Sequence, residues 1–179
     1  NVTDYGLDLY GKKKIAELVE HIADIPGVEW IRLHYAYPVG FPFDLLDVIR
    51  ERSNVCKYLD MALQHCNPKI LGLMRRTMSK ENLLGLLSEI RRRVPGIYLR
   101  TTLMVGFPGE TDEIFDELCT FVKEQKFERM GVFRYSSQPG SYSHINYPDI
   151  VPDNIKTSRA LELINIQNKN YHLLNSSLV

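Results

Sequence analysis

Residues 97–111, IYLRTTLMVGFPGET, decide the fold class of this chain. The first nine of these residues follow Pro95-Gly96 and are rich in apolar and β-branched side chains, which predicts a buried strand. The GFPG sequence then predicts a tight turn, and Thr111 followed by two acidic residues is typical of the first turn of a helix. A strand that passes through a glycine turn directly into a helix is the repeating unit of α/β folds.

The same unit recurs along the chain. The sequence predicts strands at residues 28–35, 56–63, 97–105 and 130–135. Helices are expected at residues 11–25, 43–52, 68–75, 80–93 and 111–125, followed by a polar loop at 136–150 and a last helix that begins at Pro152-Asp153. Strict alternation implies parallel strands joined by right-handed crossovers, so the fold class is α/β, either an open sheet or part of a β/α barrel. In both architectures ligands bind at the carboxyl ends of the strands.

Length and charge narrow the class of protein. The chain has 179 residues, which is enough for one domain with a proper core, and its 22 basic residues balance 22 acidic ones. Net charge therefore gives no sign of a nucleic-acid or acidic-membrane partner. Because the first residues resemble no signal peptide and no apolar run would span a bilayer, we expect a cytoplasmic protein. The chain opens on a polar turn at Asn1, and we interpret it as an internal segment of a longer protein.

The cysteines suit neither a disulfide framework nor a metal site. There are three, Cys56, Cys66 and Cys119, and they are widely separated in sequence. We therefore predict no metal ligands within the chain. Cys66 stands at a predicted strand end, but a small buried thiol is a better interpretation of it than a nucleophile.

Two strand ends carry residues that suit a ligand. The turn at residues 106–110 would let backbone groups approach a flat ligand such as adenine, although an ordinary strand-to-helix turn has the same sequence requirements. Gln64 and His65 end an otherwise apolar strand and would suit a ribose or a carboxylate. The alternative is that they cap the following helix.

Other polar residues leave their roles open. Arg100 lies within the strongest strand, where burial of a guanidinium group requires an anionic partner, either Asp60 on the neighbouring strand or the carboxylate of a ligand. His34 lies in an aromatic cluster, which favours a structural role. The arginines at 75–76 and 91–93 are interpreted as solvated helix surface, because no aromatic residues interleave with them.

Taken together, segments along nearly the whole chain resemble the radical S-adenosylmethionine (SAM) methylthiotransferases. The segments are WIRLHYAYP (30–38), CKYLD (56–60), LQH (63–65), MRR (74–76), LRTT (99–102) and VGFPGET (105–111), with further agreement at NVTDYGLD (1–8), GVF (131–133), YS (135–136) and VP (151–152). The histidine-tyrosine strand end and the Gln64-His65 pair are similar to the branch of this family that modifies an aspartate of small-subunit ribosomal protein S-twelve. The branch that modifies tRNA usually has a different sequence at the second of these sites.

The resemblance implies a partial (β/α)6 radical-SAM barrel, of which the chain would supply about four parallel strands. It also implies a 4Fe-4S cluster that cleaves SAM to a 5′-deoxyadenosyl radical, so that a methylthio group is inserted into the substrate. The residues implied to contact SAM lie near the strand ends, and they are Gln64, Asn67, Arg100, Gly106, Phe107, Gly109 and Glu110.

Each of these residues has an expected partner on SAM. Gln64 and Asn67 would meet the ribose or the amino-acid part, residues 106–110 would meet the adenine, and Arg100 is a candidate for the carboxylate. Two departures weaken the ribose assignment, because relatives usually carry serine at position 67 and a small or aliphatic residue at position 66.

The chain lacks the CxxxCxxC motif with which family members bind their cluster. The preceding domain with a second cluster and the small C-terminal β-domain are missing as well. We therefore interpret residues 1–179 as a fragment of the radical-SAM core domain, with its cluster ligands elsewhere and no activity by itself. A tRNA methylthiotransferase and a noncatalytic nucleotide-binding module remain alternatives. The missing strands would leave an open sheet edge, which predicts self-association.

Overall fold

The structure is a computed structural model that describes residues 1–176. A single 3-10 turn, Val2–Asp4, opens the chain and eight α-helices are described after it. They are α1 (Leu7–Tyr10), α2 (Ile15–Ala23), α3 (Asp44–Glu51), α4 (Pro68–Leu73), α5 (Lys80–Arg93), α6 (Asp112–Gln125), α7 (Tyr142–Asn146) and α8 (Asp153–Ser176).

Four strands alternate with these helices and form one parallel sheet. The strands are β1 (Ile31–Ala36), β2 (Val55–Gln64), β3 (Tyr98–Val105) and β4 (Arg129–Arg134), and their order in the sheet is β1-β2-β3-β4. In the first pair Leu33 lies opposite Leu59, and both are buried. The predicted α/β class is confirmed.

The described chain divides into two compact units. The first comprises Asn1–Ala62 and Glu81–Arg100. In this unit α2 packs against α3, whose apolar residues Leu45, Leu46 and Ile49 are fully buried. Each buried leucine or isoleucine contributes about 1.5–3 kcal/mol through removal of apolar surface from water, which is why these short helices are stable.

The second unit comprises Leu63–Lys80 and the residues from Thr101 onward. Here α8 packs against both α6 and β4. The buried side chains Leu118 and Val122 of α6 and Leu163 of α8 form part of this core. Thr111 accepts a hydrogen bond from the Ile114 backbone N–H at 3.4 Å, so it caps α6 as its sequence position predicted.

Most predicted boundaries agree with the structure to within two residues, and three differences are larger or add an element. The first strand begins at Ile31 rather than residue 28, because the carbonyl of Val28 accepts a hydrogen bond from the Asn54 side chain. Helix α2 is shorter at both ends than the predicted 11–25. The predicted loop at 136–150 contains α7, which the side chain of Ser141 caps by accepting from the His144 backbone N–H. Within residues 1–176 no helix is both long enough and apolar enough to cross a bilayer.

Candidate functional site

The carboxyl end of β2 holds Gln64 in an uncommon backbone conformation. Its φ is +69°, a left-handed value that costs a non-glycine residue about 1–2 kcal/mol. The side-chain oxygen Oε1 is buried, and none of the described residues gives it a hydrogen-bond donor. An unsatisfied buried acceptor costs about 1–3 kcal/mol, so this oxygen is well placed to accept a hydrogen bond from a ligand hydroxyl.

His65, the next residue, is fully buried. Its Nδ1 accepts hydrogen bonds from the backbone N–H groups of Cys66 and Asn67, each at 3.0 Å. The ring proton of this tautomer is therefore on Nε2, which lies 3.4 Å from Oε2 of Glu110. His65 thus fixes the chain reversal after β2 instead of capping the helix that follows.

Cys66 has the properties of an inert core residue. The side chain is fully buried, and burial, followed by the negative charge of Glu117, raises the pKa of its thiol to about 12. A thiol with so high a pKa is a poor nucleophile at neutral pH. The interpretation as a small buried thiol agrees with this environment.

Asn67 caps α4, and its side chain is already engaged. Its Oδ1 accepts from the backbone N–H groups of Lys69 and Ile70, and its Nδ2 donates to Glu117 at 2.5 Å. Lys80 donates to the other oxygen of Glu117 at 2.6 Å. The departure from serine at position 67 therefore has a structural use, and contact of Asn67 with the ribose stays a prediction.

The turn after β3 begins at Gly106, whose φ is +73°. A side chain at this position would lie against Lys156 of α8, with its Cβ 3.0 Å from Lys156 Cδ and closer still to Cγ. The turn is closed by a hydrogen bond from the Glu110 N–H to the Phe107 carbonyl at 3.0 Å. Glycine is thus required at 106 for two independent reasons, its backbone angle and its packing.

Apolar and acidic side chains hold this turn from inside. Phe107 is buried and packs edge-on against Tyr135, with ring centroids 4.9 Å apart. The carboxylate of Glu110 is buried, and Oε1 accepts from the Gly106 N–H at 2.9 Å and from Arg159 at 2.7 Å. Because that oxygen is engaged inside the protein, any contact of Glu110 with the adenine would have to involve the backbone.

Lys156 and Arg159, both on α8, are functional candidates that the sequence did not indicate. Lys156 is almost completely buried, and its Nζ lies 2.7 Å from both carboxylate oxygens of Asp149. Asp149 precedes α8 by a few residues, so this pair holds the start of the helix over the turn. The sequence gives one signal for this arrangement. Lys156 and Arg159 are two basic residues near the start of α8, where the helix dipole disfavours positive charge.

An open pocket of about 760 Å³, lined by both polar and apolar side chains, lies beside the carboxyl end of β4. Its walls come from β4, the segment after it and one side of α8, and they include Tyr135, Ser136, Asp149 and Lys156. The hydroxyl oxygen of Tyr135 is buried, without a hydrogen-bond partner among the residues that the structure describes. Tyr135, Ser136 and Ser137 form the carboxyl end of the fourth strand, one of the strand ends where the alternating topology predicts that ligands bind, although no residue there was predicted to contact SAM.

Arg100 belongs to the first unit, and the expectation that it is buried is wrong. Its side chain is exposed, because alternate residues of β3 face opposite sides of the sheet and Leu99 takes the buried side. A hydrogen bond with Tyr58, together with the nearby charge of Asp60, raises the pKa of Arg100. Asp60 thus contributes to its environment as predicted, and contact with a ligand carboxylate stays a prediction.

His34 lies in the same unit between two charged side chains. Its Nε2 accepts from Arg32 at 3.0 Å, and its Nδ1 lies 3.4 Å from Asp60. Its ring also packs against Tyr58. These contacts agree with the structural role favoured by its sequence context.

The three cysteines do not form a metal centre. Cys66 and Cys119 are buried, whereas Cys56 is half-buried. In the part of the chain that the structure describes, no three His, Cys, Asp or Glu side chains lie close enough together to hold a metal ion. These residues therefore do not fit a 4Fe-4S cluster.

A family model described as the Radical SAM superfamily matches residues 2–122. The chain belongs to the radical SAM superfamily. The resemblance to radical SAM enzymes, which was drawn from segments along nearly the whole chain, is thereby confirmed.

Curated relatives extend this result to a narrower group. The chain is 56% identical over 166 residues to the ribosomal protein uS12 methylthiotransferase RimO of Bacteroides thetaiotaomicron, which covers 93% of the chain and 38% of that relative. Identity to the protein of the same name from Porphyromonas gingivalis is 54% over 169 residues, or 94% of the chain and 39% of the relative. The chain therefore spans about two fifths of the length of these relatives.

Solved radical SAM structures have the same fold. Coproporphyrinogen III oxidase (HemN) from Escherichia coli superposes with a TM-score of 0.68 at 22% identity, over 87% of the chain and 36% of HemN. The methyltransferase TsrM from Kitasatospora setae, solved with tryptophan and a SAM analog, gives a TM-score of 0.54 at 20% identity over 66% of the chain and 24% of TsrM. At these identities the likeness supports the fold alone.

Proposed function

We propose that the chain is the SAM-binding part of a methylthiotransferase that modifies an aspartate of ribosomal protein uS12, the S-twelve protein named above. The identity of more than half to relatives with this activity in their names supports the proposal. The observation within the chain that carries it is the buried Oε1 of Gln64 at the end of β2, which has no hydrogen-bond partner among the described residues. A ribose hydroxyl would satisfy this acceptor.

We assign the residues at the ends of β2 and β3 to parts of SAM. Gln64 would accept a hydrogen bond from the ribose, while Gly106, Phe107 and Gly109 would offer backbone groups to the adenine. Arg100 remains our candidate for the carboxylate, through its guanidinium group. Within the described residues the polar atoms of Asn67 are less suitable, since they already cap α4 and bind Glu117.

The chemistry requires a group that the described residues do not hold. A 4Fe-4S cluster supplies the electron that cleaves SAM in this superfamily, and we propose that its ligands lie elsewhere in the protein. The residues at the ends of β2 and β3 would bind and orient SAM and exclude water from its adenosyl end. We further propose a cytoplasmic location, where a ribosomal protein would be available as substrate.

The proposal is tested with the full-length protein that contains this chain, reconstituted anaerobically and incubated with SAM, a sulfur source and either purified uS12 or tRNA. Mass spectrometry should detect a methylthio group on one aspartate of uS12 and none on tRNA. Modification of tRNA alone would overturn the substrate assignment, because the tRNA enzymes are the alternative branch of this family. Binding of SAM without modification of either substrate would favour a noncatalytic module.

A second experiment tests whether the side-chain oxygen of Gln64 binds SAM. Gln64→Leu keeps the size of the side chain but removes the acceptor, and it should weaken SAM binding about 10-fold, the effect of one lost hydrogen bond of about 1.4 kcal/mol. Gln138→Leu is the matched control, because Gln138 is an exposed glutamine in the loop after β4. Equal binding by the wild type and the Gln64 variant would remove Gln64 from the site.

A further inference from the structure

Glu110 is the meeting point of three segments of the second unit. Its Oε1 accepts from the Gly106 N–H and from Arg159 of α8, as described above. Its other oxygen, Oε2, faces Nε2 of His65 at 3.4 Å. The side chains of Glu110 and His65 are both completely buried, so a single carboxylate links the turn after β3, the chain reversal after β2 and helix α8.

Arg159 supplies the charge that makes this buried carboxylate tolerable. Besides the Oε1 contact, it donates to the backbone carbonyl of Glu110 at 3.2 Å and to Asp112 at 2.6 Å, and its guanidinium group lies 5.3 Å from the ring centre of Phe115. Arg159 therefore binds both the end of the turn, at Glu110, and the first residue of α6, Asp112. A lysine has a single ammonium group and cannot reproduce this forked geometry.

His65 transmits the same constraint to the end of β2. Its Nδ1 is held by two backbone N–H groups, which fix the ring on that side. Its Nε2 lies 3.4 Å from Oε2 of Glu110, which is a close contact and not a hydrogen bond, and neither atom has a hydrogen-bond partner among the described residues. Gln64, whose left-handed backbone needs support from its surroundings, immediately precedes it. Loss of Arg159, the charge partner of Glu110, should therefore shift the backbone at Gln64 as well as at Gly106.

We propose that Arg159 is a positioning residue for SAM, which acts through Glu110 to hold the Gln64 strand end and the Gly106 turn in the arrangement that binds the adenosyl group. This inference rests on the proposed SAM site. Arg159 itself does not need to contact SAM, because its guanidinium group is occupied by Glu110 and Asp112. The loss of one or two hydrogen bonds of about 1.4 kcal/mol each weakens binding about 10- to 100-fold, which sets the scale of the expected effect.

The test measures binding of S-adenosylhomocysteine by calorimetry to the full-length, cluster-reconstituted protein. Arg159→Met should weaken binding about 10- to 100-fold, and Arg159→Lys, which restores the charge without the fork, should recover part of the loss. Asn170→Ala is the matched control. Asn170 is another buried α8 residue, and its side chain donates to the Val122 carbonyl at 2.8 Å, so the variant loses an α8 anchor without disturbing Glu110. It should bind within about 2-fold of the wild type.

Hydrogen exchange gives a readout that does not depend on any ligand. The Gly106 N–H, which donates to Glu110, should exchange faster in Arg159→Met and remain slow in Asn170→Ala. A folded Arg159→Met protein with wild-type affinity, or equal losses of affinity in both variants, would overturn the positioning role. Absence of binding by the wild type would instead overturn the proposed SAM site and this inference with it.

Discussion

Gly106→Ala is the sharpest test of how α8 covers the turn after β3. Alanine at φ +73° costs about 1–2 kcal/mol, because its Cβ crowds the backbone in the left-handed region. The same Cβ would lie 3.0 Å from Cδ and 3.2 Å from Cβ of Lys156, and closer to Cγ. Overpacking of this kind typically costs about 1–3 kcal/mol, which gives a total loss of about 2–5 kcal/mol in the free energy of unfolding.

We expect the full overpacking cost because the side chain of Lys156 cannot move to relieve the clash. Its side chain is only 3% exposed, and its ammonium group is held by both oxygens of Asp149 at 2.7 Å. Gly140→Ala is the matched control, since Gly140 has φ +82° but, its chain neighbours aside, none of residues 1–176 lies within 4 Å of the added Cβ. It should lose only the backbone cost of about 1–2 kcal/mol.

Urea unfolding followed by circular dichroism measures both variants. The difference between them isolates the contact with Lys156 and should be about 1–3 kcal/mol. In a double-mutant cycle, Lys156→Ala should make Gly106→Ala less costly by about the same amount, because the two nearest clashing atoms, Cγ and Cδ, are gone. Equal losses in the two glycine variants, or no coupling in the cycle, would refute the packing argument.

Three further predictions concern burial and charge. Leu163→Ala should destabilise the protein by about 2–5 kcal/mol in urea, whereas Leu161→Ala, at a position 56% exposed on the same helix, should stay within about 0.5 kcal/mol; similar losses would contradict the assignment of the core. Because burial raises the pKa of Cys66 to about 12, roughly one thiol in ten thousand is ionised at about pH 8, and iodoacetamide should label half-buried Cys56 first in the native protein, as peptide mass spectrometry would show. Burial works against ionisation of Glu117, but hydrogen bonds from Asn67 and Lys80 outweigh it and lower the pKa of this carboxyl below 4.5. The ionised carboxylate therefore stabilises the folded protein above about pH 4.5, and this contribution should be lost as the pH falls below that value. The urea midpoint of Glu117→Gln should decrease less than that of the wild type over the same pH range.

The sequence predicted the order of elements because that order depends on local properties. The spacing of apolar residues in α5 and α6 and the β-branched run before Gly106 are readable within a window of about 15 residues. Helix α7 was missed for the same reason. It has five residues with no buried side chain, so its sequence lacks the apolar periodicity that marks longer helices.

The strand ends were predictable in position but not in detail. Parallel topology alone brings residues 64–67 and 106–110 to the carboxyl edge of the sheet, whatever their side chains do there. Which of those side chains is free to bind a ligand depends on contacts with residues far along the chain. Asn67 binds Glu117, which is 50 residues away, and a window of local sequence cannot show that its amide is already engaged.

Glu110 shows most clearly where sequence reasoning reaches its limit. Its place in the turn made it a candidate for direct contact with SAM, but its carboxylate points inward to Arg159, 49 residues further along the chain. A buried carboxylate is stable only with such a partner, and removal of one partner of a buried pair typically costs about 3–5 kcal/mol. The residue is therefore required for a reason different from the one its position implies. Glu110→Ala removes the acceptor of the Gly106 N–H directly, whereas Arg159→Met removes only the partner that holds this acceptor in place. Faster hydrogen exchange of the Gly106 N–H in both variants, and not in Glu110→Ala alone, would identify the ion pair as the element that shapes the site.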